Sequence, residues 1–174
     1  MEFSSSEENQ SFSLTKFESM LKTNNVFFFD SNEFENIIHH YLEIGKIALA
    51  KKAIKLGLDQ HPTSINLKLF RVEILIFENK LTEGAKLLKM LFELEPNNEE
   101  LYIQKANIHS KRDQHEEAIE VFKKALKVSN DTSEIHSLIG MEYLFLDNYE
   151  AAKIHFKNCI DLNIEDYSSL YNII

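Results

Sequence analysis

Apolar positions along this chain recur on two length scales. Within short stretches they keep helical spacing: Phe34, Ile38 and Tyr41 fall at i, i+4 and i+7, and Ala50, Ile54 and Gly57 do the same. Over longer stretches the stripes themselves return every 34 residues. Tyr41, Leu75, His109 and Tyr143 form one column, and Ala50, Gly84, Ala118 and Ala152 a second. Ile54, Leu88, Phe122 and Phe156 form a third, and Pro62, Pro96, Asn130 and Ile164 a fourth. Independent columns sharing one period mark one supersecondary unit copied in tandem.

Polar positions keep the same period. Asp30, Ser64, Asn98, Thr132 and Asp166 are residues whose short side-chain oxygen can accept from the free N–H groups of a helix start. Gly45, Asn79, Asp113 and Asp147 put a turn former midway through each unit. Each unit therefore reads as helix, tight turn, helix. The predicted pairs are 31–44 with 47–60, 65–78 with 81–94, 99–111 with 115–128, and 133–146 with 149–162. They define repeats 31–64, 65–98, 99–132 and 133–166, and a partial fifth over 167–174.

Ahead of the repeats, residues 1–13 are rich in Ser, Glu and Asn and read as a disordered tail. Residues 14–30 read as a short helix, with Leu14, Phe17 and Leu21 on one face, followed by a link. Asp30 and Glu33 have capping-box spacing, and Phe29 and Phe34 the spacing of a hydrophobic staple. A sharper reading of the same run sends Phe27 and Phe28 into a groove of this or another molecule.

Composition narrows the class. Gly (4) and Pro (2) are scarce among 174 residues, which favours an all-helical chain of one domain. The net charge of −9 is a poor match for phosphate backbones, so no nucleic-acid partner is expected. No apolar run is long enough to span a membrane, and the N-terminus lacks the basic start and apolar run of a secretory signal. The chain reads as cytoplasmic. Its single cysteine, Cys159, offers no disulfide framework and sits in a small-residue column, as a buried, inert thiol would.

The columns resemble the tetratricopeptide repeat (TPR) family. Its spaced signature appears as Ala106, Ala118, Phe122 and Ala125 in the third unit and as Gly140, Tyr143, Ala152 and Phe156 in the fourth. Tyr41, Ala50 and Pro62 carry it in the first, and Gly84 and Pro96 in the second. His109 and Leu75 stand where Tyr is usual, Leu91 and Cys159 replace a small residue, and Asn130 and Ile164 replace Pro. The 35-residue RNA-reading repeats fit less well, given the period and the charge. The resemblance implies an α-α superhelix whose first helices line a concave groove for a peptide or helix of a partner protein.

Carried through the repeat register, the candidate groove residues are Leu42, Leu69, Glu73, Ile76, Phe77, Ile103, Asn107, Met141, Leu144 and Phe145. They give an apolar floor with acidic rims, suited to an apolar segment bearing Lys or Arg. The rival reading packs several of them, Ile76 and Leu144 above all, against neighbouring units. A carboxylate clamp of the kind that grips chaperone tails is not expected, because Lys111 is the lone basic residue in these columns.

No catalytic motif, phosphate loop or metal-binding histidine pair on one helix face is found, so no enzyme activity, cofactor or metal is expected. His109 and His136, in core-type columns of successive first helices, could meet, but two histidines make a weak zinc case. The final segment places Leu170, Ile173 and Ile174 in core columns with no second helix to cover them. That ending suits a fragment of a longer repeat protein, or a face for self-association. The expected function is a non-enzymatic protein-binding module. The alternatives are the N-terminal targeting or regulatory array of a longer enzyme or assembly factor, and a self-associating structural array.

Overall fold

The computed structural model describes residues 3–23 and 25–162, with side chains from residue 12 onward. Among these the chain forms nine helices and no strand. They are α1 (Phe3–Thr23), α2 (Ser31–Glu43), α3 (Ile47–Gln60), α4 (Ile65–Phe77), α5 (Leu81–Leu94), α6 (Glu99–Ser110), α7 (His115–Ala125), α8 (Ser133–Phe145) and α9 (Tyr149–Leu162). Two compact units are present, residues 1–74 and 75–174, with the division inside α4. The expected fifth repeat, the self-association face and the candidate cap Asp166 all lie outside the described residues.

The turn column does its work through one backbone conformation. Gly45, Asn79, Asp113 and Asp147 all sit at positive φ, between 55° and 68°. Each is followed by a residue whose N–H reaches back five positions. Lys46 N–H bonds Tyr41 O at 2.8 Å, Lys80 bonds Leu75 at 2.7 Å, Gln114 bonds His109 at 3.0 Å and Asn148 bonds Tyr143 at 2.9 Å. This pattern is a Schellman stop, which satisfies the last carbonyls of one helix while reversing the chain into the next. Glycine, asparagine and aspartate tolerate the left-handed region, so the column is limited to them.

Helix starts follow the capping column three times out of four. At α2 the Asp30–Glu33 box closes in both directions, with Glu33 Oε2 accepting from Asp30 N–H at 2.8 Å. Ser64 Oγ accepts from Leu67 N–H at 3.3 Å, and Asn98 Oδ1 from Glu100 N–H at 3.0 Å. Thr132 makes no such bond; its backbone is already helical, and Asp131 Oδ1 caps Ser133 N–H instead, at 3.1 Å. The predicted end of α7 also shifts, from 128 to 125. Lys127 and Val128 N–H bond carbonyls three residues back, tightening the last turn.

In the first unit, α1 is longer than the sequence implied. It begins at Phe3, against the expected disordered tail over 1–13; the stretch holds no Gly or Pro to stop a helix that residues 14–21 anchor. Phe17 and Met20 are buried, and Ser13 Oγ donates to Glu33 Oε1 at 2.7 Å, tying α1 to the start of α2. Phe29 and Phe34 are both fully buried with ring centroids 5.2 Å apart, which is the staple. The link is clamped by α3: Gln60 donates to Phe27 O and accepts from Phe29 N–H, and His61 Nε2 donates to Phe29 O at 2.7 Å. Phe27 packs on this core, whereas Phe28 stays exposed with its ring against His61.

In the second unit, small residues set how closely helices approach. Ala106, Ala118, Ala125, Gly140 and Ala152 are all buried, with Phe122 and Phe156 filling the space between. A Cβ added at Gly140 would lie 2.6 Å from the Phe156 ring, whereas at Gly84 the nearest atom, Ile108 Cδ1, would be 3.6 Å away. Cys159 is buried as expected, its Sγ 3.4 Å from Ser133 Oγ. His136 does not meet His109. It pairs with His155, Nδ1 to Nδ1 at 3.0 Å, because α9 folds back on its own partner helix, while His109 bonds Gln114 Oε1.

The two glycines predict opposite outcomes. Gly140→Ala pushes a methyl into a fixed ring and is expected to destabilise by about 1–3 kcal/mol. Gly84→Ala meets only ordinary contact and is expected to stabilise by about 0.5–1 kcal/mol, through the unfolded chain. Urea unfolding of both variants checks the pair.

The histidine pair predicts a pH dependence. Burial, helped by His136 and the charge of Lys123, lowers His155 to about 4, and burial also lowers His136; Tyr143 covers the pair from the same hairpin. The unfolded chain protonates near an ordinary histidine pKa of about 6.5, so the neutral pair's contribution is present above that pH. It is lost as pH falls toward about 4. The thermal midpoint is expected to drop across that window, and the drop to shrink in His155→Phe.

Candidate partner-binding face

The first helix of each repeat carries the predicted site residues, and the structure sorts them. In the first unit Leu42 is half-buried against the core, Leu69 is buried and Glu73 is exposed. In the second unit Ile76 and Ile103 are buried, so both act chiefly in packing, while Asn107 and Leu144 are half-buried. Phe77 and Phe145 are exposed at 67% and 61%, and Met141 at 38%. The apolar surface therefore gathers at the C-terminal ends of α4 and α8 rather than along a continuous floor.

One stripe of α8 shows how the second unit is arranged. Glu134, Ser137, Met141, Leu144 and Phe145 fall on one helical face, and Glu134 and Phe145 are about 16 Å apart along the axis. The acidic end is reinforced by Glu99 and Glu100 in the first turn of α6. Burial raises the Glu100 carboxyl above its ordinary range; the Gln104 amide, donating at 2.7 Å, opposes this, and the charges of Glu134 and Glu99 add to the rise. Helix N-termini favour carboxylates, but no Lys or Arg pairs with Glu100 among the described residues.

At the apolar end Phe145 is held in place. Its ring stacks on His115 at 4.9 Å with 13° between planes, and His115 Nδ1 donates to Glu142 Oε2 at 2.7 Å. Glu142 is 5% exposed. His115 and Glu142 escaped the groove columns, because His115 opens a second helix and Glu142 faces inward. A signal for them existed in the repeat register. His115 interrupts the apolar column Ile47, Leu81, Tyr149, and Glu142 follows Ile74 and Ile108 in a column that opens with His40. The two departures, His115 in the third repeat and Glu142 in the fourth, fall at positions that face each other across the repeat junction.

Nothing in this arrangement gathers catalytic groups. Among the described residues no three His, Cys, Asp or Glu side chains come together as a metal site requires, and no helix is long and apolar enough to cross a membrane.

Comparison with known proteins places the chain. Two family models, each described as tetratricopeptide repeat, match residues 75–141 and 133–163 and together run over just more than half of the sequence. No curated protein matches it. Among solved structures, a thermophilic TPR protein of Thermus thermophilus is 18% identical with a TM-score of 0.75, over 92% of this chain and 86% of that one. A TPR protein of Parabacteroides merdae is 14% identical with a TM-score of 0.77; the match takes in 97% of this chain but 65% of that longer one. YrrB, described as a TPR protein with an unusual peptide-binding site, is 15% identical with a TM-score of 0.60, over 96% of this chain and 84% of its own. At such identities the likeness is one of fold, and with the matched repeat models and the 34-residue columns it shows that the chain is an all-α member of the tetratricopeptide repeat family.

Proposed function

We propose that the chain is a non-enzymatic interaction module, and that the α6–α8 face of its second unit binds a segment of a partner protein. The observation that carries this reading is the crowded Glu99–Glu100–Glu134 end, where a half-buried carboxyl is pressed by two like charges and has no Lys or Arg partner among the described residues. A Lys or Arg from a partner would supply the missing charge. Phe145 and Met141, at the other end of the same stripe, offer apolar surface. The matching segment carries a basic residue and an apolar residue separated by about 16 Å, about three turns of a helix. The likeness to YrrB, a TPR protein with a peptide-binding site, supports the class of ligand. Phe77 ends α4 as Phe145 ends α8, two repeat periods apart, and extends the apolar surface of the same unit.

One pair of variants tests both the charge and the binding. Glu134→Gln removes a like charge from Glu100, so the free protein is expected to melt at a higher temperature while capture of partners from source-cell lysate weakens. Phe145→Lys, at an exposed position, loses only the stacking on His115 and is expected to lower the melt little while weakening capture at least about tenfold. Mass spectrometry of the wild-type eluate identifies what is lost. A partner retained by both variants at wild-type level overturns this placement of the site.

A further inference from the structure

We propose a second binding site, between α5 and α6, for an anion carried on an apolar body. A pocket of about 470 Å³ opens there, within the second unit. Leu88 and Ile108 are its buried floor, Phe92 is one wall, and Lys89, Lys105 and Arg112 stand around it. None of the pocket's lining residues is Asp or Glu. In a chain of net charge −9 this concentrates three cations over an apolar surface. None of the three is in an ion pair among the described residues; Lys105 Nζ instead sits 5.8 Å from the centroid of the Phe92 ring.

The repeat register shows why the pocket exists. Lys105 belongs to the column Ile37, Arg71, Lys105, Ile139. Ile37 and Ile139 are fully buried, so in those repeats the position is sealed by packing. Lys105 stays exposed and the space beside it is left open. His109, in a column otherwise Tyr or Leu, adds a second polar departure on the same face and joins the lining. Lys105 and His109 point about 160° away from Ile103 and Asn107 on α6, so the pocket is not part of the face described above.

The chemistry of the lining selects the ligand. A guanidinium forks onto a carboxylate, two ammonium groups add point charge, and the floor and Phe92 take an aliphatic or aromatic group. The volume is that of a small-ligand site, which ordinarily spans roughly 300–1,000 Å³. The ligand class is therefore an apolar carboxylate. It can arrive as a free small acid or as an acidic residue beside an aromatic one in a peptide.

Two probes separate these sources in amide-resolved NMR titrations of the full chain: 4-phenylbutyrate, and the blocked peptide acetyl-Glu-Phe-Asp-Phe-amide. Saturable shifts confined to α5 and α6 are expected with at least one of them. A response to the acid alone assigns a free metabolite-like ligand, a response to the peptide alone a protein segment, and a response to both the shared group. Lys105→Ile, which installs the residue found in two sister repeats, is expected to keep the fold and weaken binding at least about tenfold. Arg112→Gln, at an exposed position, is expected to do the same. The proposal is overturned if neither probe gives saturable shifts to millimolar concentration. It is also overturned if 4-phenylbutyramide, which lacks the charge, binds as well as the acid, or if Lys105→Ile binds with wild-type affinity.

Discussion

Each hairpin of this protein depends on one residue held in the left-handed region at the end of its first helix. At Gly45, Asn79, Asp113 and Asp147 that conformation aims the chain back along the helix it has just left. For the three residues that are not glycine it costs about 1–2 kcal/mol each. The hairpin offsets that cost by burying large side chains, each contributing roughly 1.5–3 kcal/mol. The reversal sets the direction of the second helix, and the small-residue column sets its distance. Where Gly140 meets the Phe156 ring the approach is closest, and there the second helix fixes its own aromatic by leaving the first helix no side chain.

This hierarchy explains what could be read from the residues. The period of 34, the turn residues and the small and aromatic columns are backbone and packing requirements repeated four times, so each copy corroborates the others. Helix ends came out within a residue at most positions for that reason. The misreadings fall where one copy departs alone. Thr132 yields its cap to Asp131, α7 stops at Ala125, and α1 runs back to Phe3 through a composition that looked like a tail. Single departures have no second instance to check them, and their outcome depends on neighbours that sequence spacing does not identify.

The same reasoning applies to the candidate sites. Phe77 and Phe145 were legible as surface residues because they lie at helix ends, where the packing partner runs out. Leu69, Ile76 and Ile103 share the register of a groove, yet their exposure is below 10%. Register gives the direction of a side chain but not the distance to the next helix, so it could not separate floor from core. The pocket beside Lys105 was missed for a related reason. Lys89, Lys105 and Arg112 belong to different helices or turns, and none of them lies in the groove columns. Only contact between α5 and α6 assembles them.

The role of the buried Glu142 follows from what it holds. A carboxylate at 5% exposure would cost stability if left unpaired. Here it accepts from His115, and the fixed imidazole becomes a platform for Phe145. An exposed phenyl ring ordinarily keeps its rotamer freedom, and ordering such a side chain on binding costs about 0.5–1.5 kcal/mol. Stacking limits that freedom before any partner arrives. The polar pair between the two repeats thus supports the exposed apolar residue beside it. This accounts for why the departures at His115 and Glu142 occur together across the junction before Phe145, while the equivalent junction pairs, Ile47 with Ile74 and Leu81 with Ile108, stay apolar.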